Sequence, residues 1–281
     1  MKKLLALLIF TGLVVSAGAQ GYVPSRADVN TFFTTKTLVV LENNPLSEYN
    51  DIIKKVMQQE WTITEFDFIS EKDFEAKRMD AQYSFIYMSH VTFEKDKTDA
   101  SYRFLHLSLG GDYYRLNEMP DIASVPLAYF AVEEDRYAYK LAILVRFLQN
   151  HAKLIHERPE IISANVLKHY NDNIKDIKDK TLYLLKEELA PSVNTEAKIK
   201  KIYPYKFKLV TPEDIETAIR NRDPDVVFLH KVGPEGTKKE ARSYKIIIGA
   251  ADALFYYFDY HKISDKNPDG LLESDFKNLV K

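Results

Sequence analysis

The chain resembles itself, and that constrains its fold more than any other feature. Lys36-Thr37-Leu38-Val39-Val40-Leu41 returns as Lys180-Thr181-Leu182-Tyr183-Leu184-Leu185, and Ile53-Lys54-Lys55-Val56 returns as Ile199-Lys200-Lys201-Ile202. Ser70-Glu71-Lys72-Asp73-Phe74-Glu75 matches Thr211-Pro212-Glu213-Asp214-Ile215-Glu216. Phe85-Ile86-Tyr87-Met88 falls on Val226-Val227-Phe228-Leu229, and Tyr102-Arg103-Phe104-Leu105 on Tyr244-Lys245-Ile246-Ile247. The offsets run from 141 to 146 residues and the order never changes, which is the drift that loop insertions leave in a duplicated module.

Each copy reads as alternating strands and helices. Residues 37–41 form a continuously apolar run, the pattern of a strand covered on both faces. Tyr49, Ile52, Ile53, Val56 and Met57 recur at helical spacing, and residues 61–69 alternate as a second strand. Ser70 with Asp73, and Thr211 with Pro212 and Asp214, are helix starts: a hydroxyl cap, early acids, and a proline where no N–H is needed. Third strands are expected at 84–91 and 225–232, and fourth strands at 102–109 and 244–248. Gly110-Gly111 predicts a tight turn into a strand at 112–116, and residues 249–252 lead into another at 253–261. The order β-α-β-α-β-β implies an α/β (α+β) chain with mixed sheets.

Between the copies the composition changes. Ala138, Leu141, Ala142, Val145, Leu148, Ala152 and Ile155 predict one long helix over 134–157. Pro159 opens a second, with Ile162, Val166, Tyr170, Ile174 and Ile177 on its apolar face, so an antiparallel helix pair is expected. The organisation is therefore 1–19 signal peptide, 20–132 first α/β unit, 133–178 helical connector, and 179–281 second unit with a C-terminal turn and helix.

Met1-Lys2-Lys3, an apolar stretch over 4–15 and Ala17-Gly18-Ala19 make the three parts of a secretory signal, with cleavage after Ala19. A periplasmic or secreted protein is expected. The apolar stretch is shorter than the roughly 20 residues a spanning helix needs. The most apolar later run, 137–155, is interrupted by Lys140, Arg146 and Lys153 and reads as a core helix, so no membrane span is expected. With no cysteine, the chain has no site for a lipid anchor, a disulfide or thiolate chemistry. A formal charge of −2 argues against a nucleic-acid partner.

The chemistry-bearing motifs are sparse. Seven histidines include no His-Glu-x-x-His, and no Gly-x-Ser-x-Gly elbow marks a nucleophile. Gly233-Pro234-Glu235-Gly236-Thr237-Lys238 has too few residues between its glycines for a phosphate loop and reads as a hairpin loop. Asp265, Asn267 and Asp269, followed by Gly270 and Leu272, match the start of a calcium loop. Position 12 is Phe276 where a bidentate acid is needed, with Glu273 and Asp275 nearby, so an ordinary turn is expected. Phe255-Tyr256-Tyr257-Phe258-Asp259-Tyr260 on a strand would put Phe255 and Tyr257 on one face and Tyr256, Phe258 and Tyr260 on the other. Core packing is one reading; Tyr256, Tyr257 and Tyr260 as a partner surface is the other. Lys198, Lys200, Lys201, Lys206 and Lys208 read as a solvated face. No catalytic residue and no cofactor is indicated.

The opening strand over 38–41, the capped helix from Ser70 and the third strand over 83–90, repeated at 182–185, 211–219 and 225–230, resemble the small α/β domain of the TolB N-terminal domain and the CsgG-like assembly proteins. In those families the domain serves envelope assembly and protein contacts rather than catalysis. The chain departs from CsgG-like lipoproteins in lacking the lipid-bearing cysteine, and from TolB in having no following propeller. The resemblance implies a non-catalytic periplasmic scaffold with envelope protein partners; the alternative is a ligand-binding protein that uses the cleft between its two units. Intact mass of the chain recovered from an envelope fraction is expected to correspond to a start at Gln20; a chain that retains Met1 contradicts the signal.

Overall fold

The apolar runs become the centres of two sheets. The computed structural model describes residues 22–44, 46–162, 166–235 and 240–281, so the expected signal lies outside it. Strand β1 (Lys36–Leu41) lies between β2 (Phe66–Ser70) and β3 (Tyr83–Thr92), both parallel to it. β4 (Ser101–Leu109) and β5 (Asp121–Tyr129) then add antiparallel, giving the order β2-β1-β3-β4-β5. The second sheet repeats that order and those directions with β6 (Thr181–Leu184), β7 (Phe207–Leu209), β8 (Val226–Val232), β9 (Arg242–Gly249) and β10 (Phe255–Lys262): β7-β6-β8-β9-β10. The class is α/β with two five-stranded mixed sheets.

The helices are α1 (Arg26–Phe32), α2 (Glu48–Glu60), α3 (Glu71–Lys77), α4 (Leu141–Glu157), α5 (Val166–Asn171), α6 (Glu196–Ile199), α7 (Pro212–Asn221) and α8 (Glu273–Leu279). Both expected caps form. Ser70 Oγ accepts from Asp73 N at 3.1 Å, and Thr211 and Asp214 satisfy each other's backbone N–H groups in a capping box.

Three expectations change. Residues 61–65 precede β2 rather than opening it. The stretch after Gly110-Gly111 is not a strand: it turns into a 3-10 helix (Leu116–Glu118), and the fifth strand is β5, which the sequence reading missed. β5 contains Pro126, a residue that cannot donate to a ladder, and Pro126 sits beside a register shift on this edge strand. The connector is one long helix, α4, entered through 3-10 turns (Glu134–Arg136, Ala138–Lys140). Pro159 opens another 3-10 turn, and among the described residues the expected second helix is α5 running into a 3-10 helix (Asp172–Asp179) rather than one continuous α-helix.

Helix α4 is covered on both sides. It packs against α1, α2 and β5 of the first unit. Its buried Leu141, Ile143, Leu144, Phe147 and Leu148 share a single core with Ile215, Ile219, Phe228, Ile246, Ile248 and Phe255 of the second. The Phe147 and Phe255 rings stack at 3.8 Å. Arg146, 4% exposed, donates to the carbonyls of Ala250 (3.1 Å), Ala251 (3.2 Å) and Ile219 (2.9 Å) and lies 3.4 Å from Glu60 of α2. One guanidinium thus ties α2, α4, α7 and the β9–β10 turn. Removing it strands the three carbonyls in a dry interface, while Glu60 keeps Arg222 at 2.8 Å, so Arg146→Met is expected to lower unfolding stability by about 2 to 4 kcal/mol in urea titration; a change within experimental error would show that the tie is not used.

Candidate functional site

The C-terminal ends of β5 and β8 meet, and a cleft of about 570 Å³ opens where they do. Its walls come from Leu127 to Tyr129, from His230 to Val232, from the loop after β6 (Leu185 to Leu189), from Arg136 to Lys140 ahead of α4, and from the 263–269 loop. Ligands of open α/β sheets gather outside the carboxyl ends of the strands, where loops rather than ladders supply the contacts. The volume falls within the range of small-molecule sites. Among the described residues no helix is long and apolar enough to cross a membrane.

The floor holds three polar side chains that burial should exclude. Lys140 is 1% exposed, His230 1% and Glu188 9%. Lys140 Nζ donates to Glu188 Oε1 at 3.2 Å, leaving Glu188 Oε2 without a partner. Burial acts to lower the Lys140 pKa, but the Glu188 carboxylate and the Tyr139 hydroxyl together offset it and hold Lys140 above its ordinary value. Burial pushes Glu188 up, against the pull of Lys140 and Lys231. His230 Nε2 lies 2.9 Å from the Pro126 carbonyl, which can only accept, so Nε2 carries the proton and Nδ1 is a bare acceptor. Nδ1 has no partner either. Burial, with Lys140 nearby, lowers the His230 pKa to about 3. The remaining charges pair internally: Lys231 with Asp269, and at the rim Arg136 with Glu235 (3.1 Å) and Glu187 (3.9 Å).

Gly270 explains how Glu188 is held in place. At φ +101 it passes so close to the 188–190 backbone that a Cβ would lie 2.8 Å from Glu188 O and from Ala190 N. Leu271 and the 188–190 segment then exchange backbone hydrogen bonds of 2.9 and 3.1 Å. The Asp269-Gly270 pair is used for this approach. Asp269 engages Lys231 and its neighbour's N–H, Asn267 gives its carbonyl to Ser264 N–H, and Asp265 lies on the exposed part of the loop. Asp265 and Asp269 do border the cleft. Among the described residues no group of three or more histidine or acidic side chains is arranged to hold a metal ion.

The tyrosine strand divides differently from its alternation. A bulge between Phe255 and Tyr257 sends both Tyr256 and Tyr257 into the second core, while Phe255 packs against α4. Tyr257 donates to Asp275 at 2.7 Å, which also accepts from Lys245 at 2.8 Å; Tyr256 donates to Asp252 at 2.8 Å. Only Tyr260, at 46%, is exposed.

The structure also lines up Ser89, His106 and Asp121 on neighbouring strands, with Ser89 Oγ 2.8 Å from His106 Nε2 and His106 Nδ1 3.3 Å from Asp121 Oδ1. No spacing in the sequence announces it. The N–H groups around Ser89 lie in the plane of the β3–β4 ladder, at right angles to the face that carries its hydroxyl, so they cannot stabilise an oxyanion there. The array is a hydrogen-bonded relay on a sheet face.

No protein family matches the chain, and no curated protein and no solved structure matches it significantly.

Two outcomes follow. Tyr256→Ala is expected to cost about 3 kcal/mol or more and Tyr260→Ala less than about 0.5 kcal/mol by chemical denaturation; equal effects would contradict the division of the strand. His230 is neutral in the fold, so the unfolded chain binds its proton first. Stability is then fully retained above about pH 6.5 and falls as pH drops toward 3. His230→Gln should flatten that slope in denaturation measured at several pH values; an unchanged slope contradicts the burial of a neutral ring.

Proposed function

We propose that this is an exported protein of the bacterial envelope, built from two copies of one α/β module, whose junction cleft binds a small ligand without transforming it. The single observation that carries the reading is that two residues lining the cleft, Glu188 and His230, each keep a buried acceptor, Oε2 and Nδ1, without a partner. An unpartnered buried acceptor costs about 1 to 3 kcal/mol, a cost that a ligand's donor would relieve. Shared strand order and the five matched segments support the duplication. The N-terminal pattern supports export. The scaffold alternative implied by the TolB-type resemblance loses two of its three candidate contact residues, since Tyr256 and Tyr257 are buried.

A thermal-shift screen of small sugars, amino acids, peptides and ions tests this reading. A binder raises the melting temperature in proportion to its excess over Kd. Ser264→Trp, at an exposed position that lines the cleft, places bulk there and should abolish that shift. A shift that survives the tryptophan places the ligand elsewhere, and a screen in which no compound shifts the melting temperature contradicts binding in the cleft.

A further inference from the structure

The polar inventory of the cleft also specifies what kind of molecule it would hold. Its deep charges already cancel in pairs: Lys140 with Glu188, and Lys231 with Asp269. A ligand with its own net charge would find no free counter-charge among these deep side chains, and a buried ion without a partner is strongly unfavourable. What the pairs leave over is not charge but hydrogen-bonding capacity of one sign. Glu188 Oε2 and His230 Nδ1 are both acceptors, and both are enclosed. Lys140 has three donors and is seen giving one to Glu188, so a hydroxyl oxygen nearby would also find a donor. An uncharged group that donates and accepts through one and the same atom is a hydroxyl. The walls add apolar and aromatic surface from Leu127, Val232, Tyr137 and Tyr139, which suits the C–H faces of a ring.

We propose that the cleft selects an uncharged, polyhydroxylated ligand, a saccharide or similar polyol, whose O–H groups donate to Glu188 Oε2 and His230 Nδ1. This rests on the cleft-binding reading and narrows it to one chemical class. The positions are fixed by the fold rather than by local sequence. Glu188 is set by the close approach of Gly270, and His230 is oriented by its bond to Pro126 at the β5 irregularity. Each residue's backbone is therefore set before a ligand arrives, and a small side-chain movement at the cleft wall brings the enclosed acceptor to the ligand.

Four ligands that share one ring separate charge from shape: glucose, N-acetylglucosamine, glucosamine and glucuronate. Saturation-transfer NMR and melting temperature on the mature chain read their binding. The expected result is that at least one neutral member binds, with the ammonium and carboxylate members weaker by about tenfold or more, because they bring an unpaired charge into the paired site. Glu188→Gln should weaken the neutral member by about tenfold, and Tyr260→Phe, far from the cleft wall, should leave it unchanged. Should the glutamine variant prove unstable, His230→Leu, whose side chain has no acceptor, removes the other one and serves the same comparison. Tighter binding of glucosamine or glucuronate than of glucose overturns the proposal, and so does failure of all four. In the second case, any other compound whose shift is lost in Ser264→Trp keeps the cleft as a site while ruling out the polyol.

Discussion

Everything in the molecule depends on a helix that has no solvent face to spare. Each sheet has two faces to cover, and the inner face of both is covered by the same layer, with α4 at its centre. Leu141, Leu144, Val145, Leu148 and Ala152 are buried almost completely, and even Arg146 in the middle of the run is enclosed. A helix apolar nearly all round is stable only inside a protein. Here the inside is made by two units rather than one. The guanidinium of Arg146 is the exception that fits: its two terminal nitrogens donate to carbonyls and its charge lies 3.4 Å from Glu60, so its burial fixes how the β9–β10 turn and α7 sit against α2.

That shared layer has a second consequence. It sets the end of β5 against the end of β8, where an edge strand would otherwise be open to pairing with another chain. Tyr102, Tyr129 and Tyr244 fill the seam, and Tyr102 meets the backbone of Arg242 across it. The cleft opens at the same strand ends. The polar residues on its floor are held by features that look unrelated in sequence: a proline irregularity orients His230, and a glycine with positive φ admits Glu188.

The strands at 36–41, 83–92 and 226–232 were legible because continuous burial writes a continuous apolar run, and the helices at Ser70 and Thr211 because capping chemistry is local. β5 was not legible. Pro126 breaks the pattern of a ladder donor, and the strand tolerates it only because it is an edge with a shifted register. The Tyr256–Tyr257 pair misled for a related reason: strict alternation has no term for a bulge. The cleft could not be read at all, since Lys140, Glu188 and His230 lie far apart in the chain and meet only through the fold. One trace of it was visible. Lys140 and Arg146 interrupt the most apolar run, and both turned out to be buried and bonded, whereas Lys153, the third, is exposed.

Whether the two units are one body can be measured through a single side chain. Trp61, the only tryptophan, is buried in the first unit beside Thr62, whose N–H meets Gln149 of α4. Its fluorescence reports the first unit and the shared layer, while far-UV circular dichroism reports both units. A core common to both predicts that the two signals change together through one urea transition with the same midpoint. Two separated midpoints would show sheets that unfold independently, and the shared layer would then not be what holds the structure together.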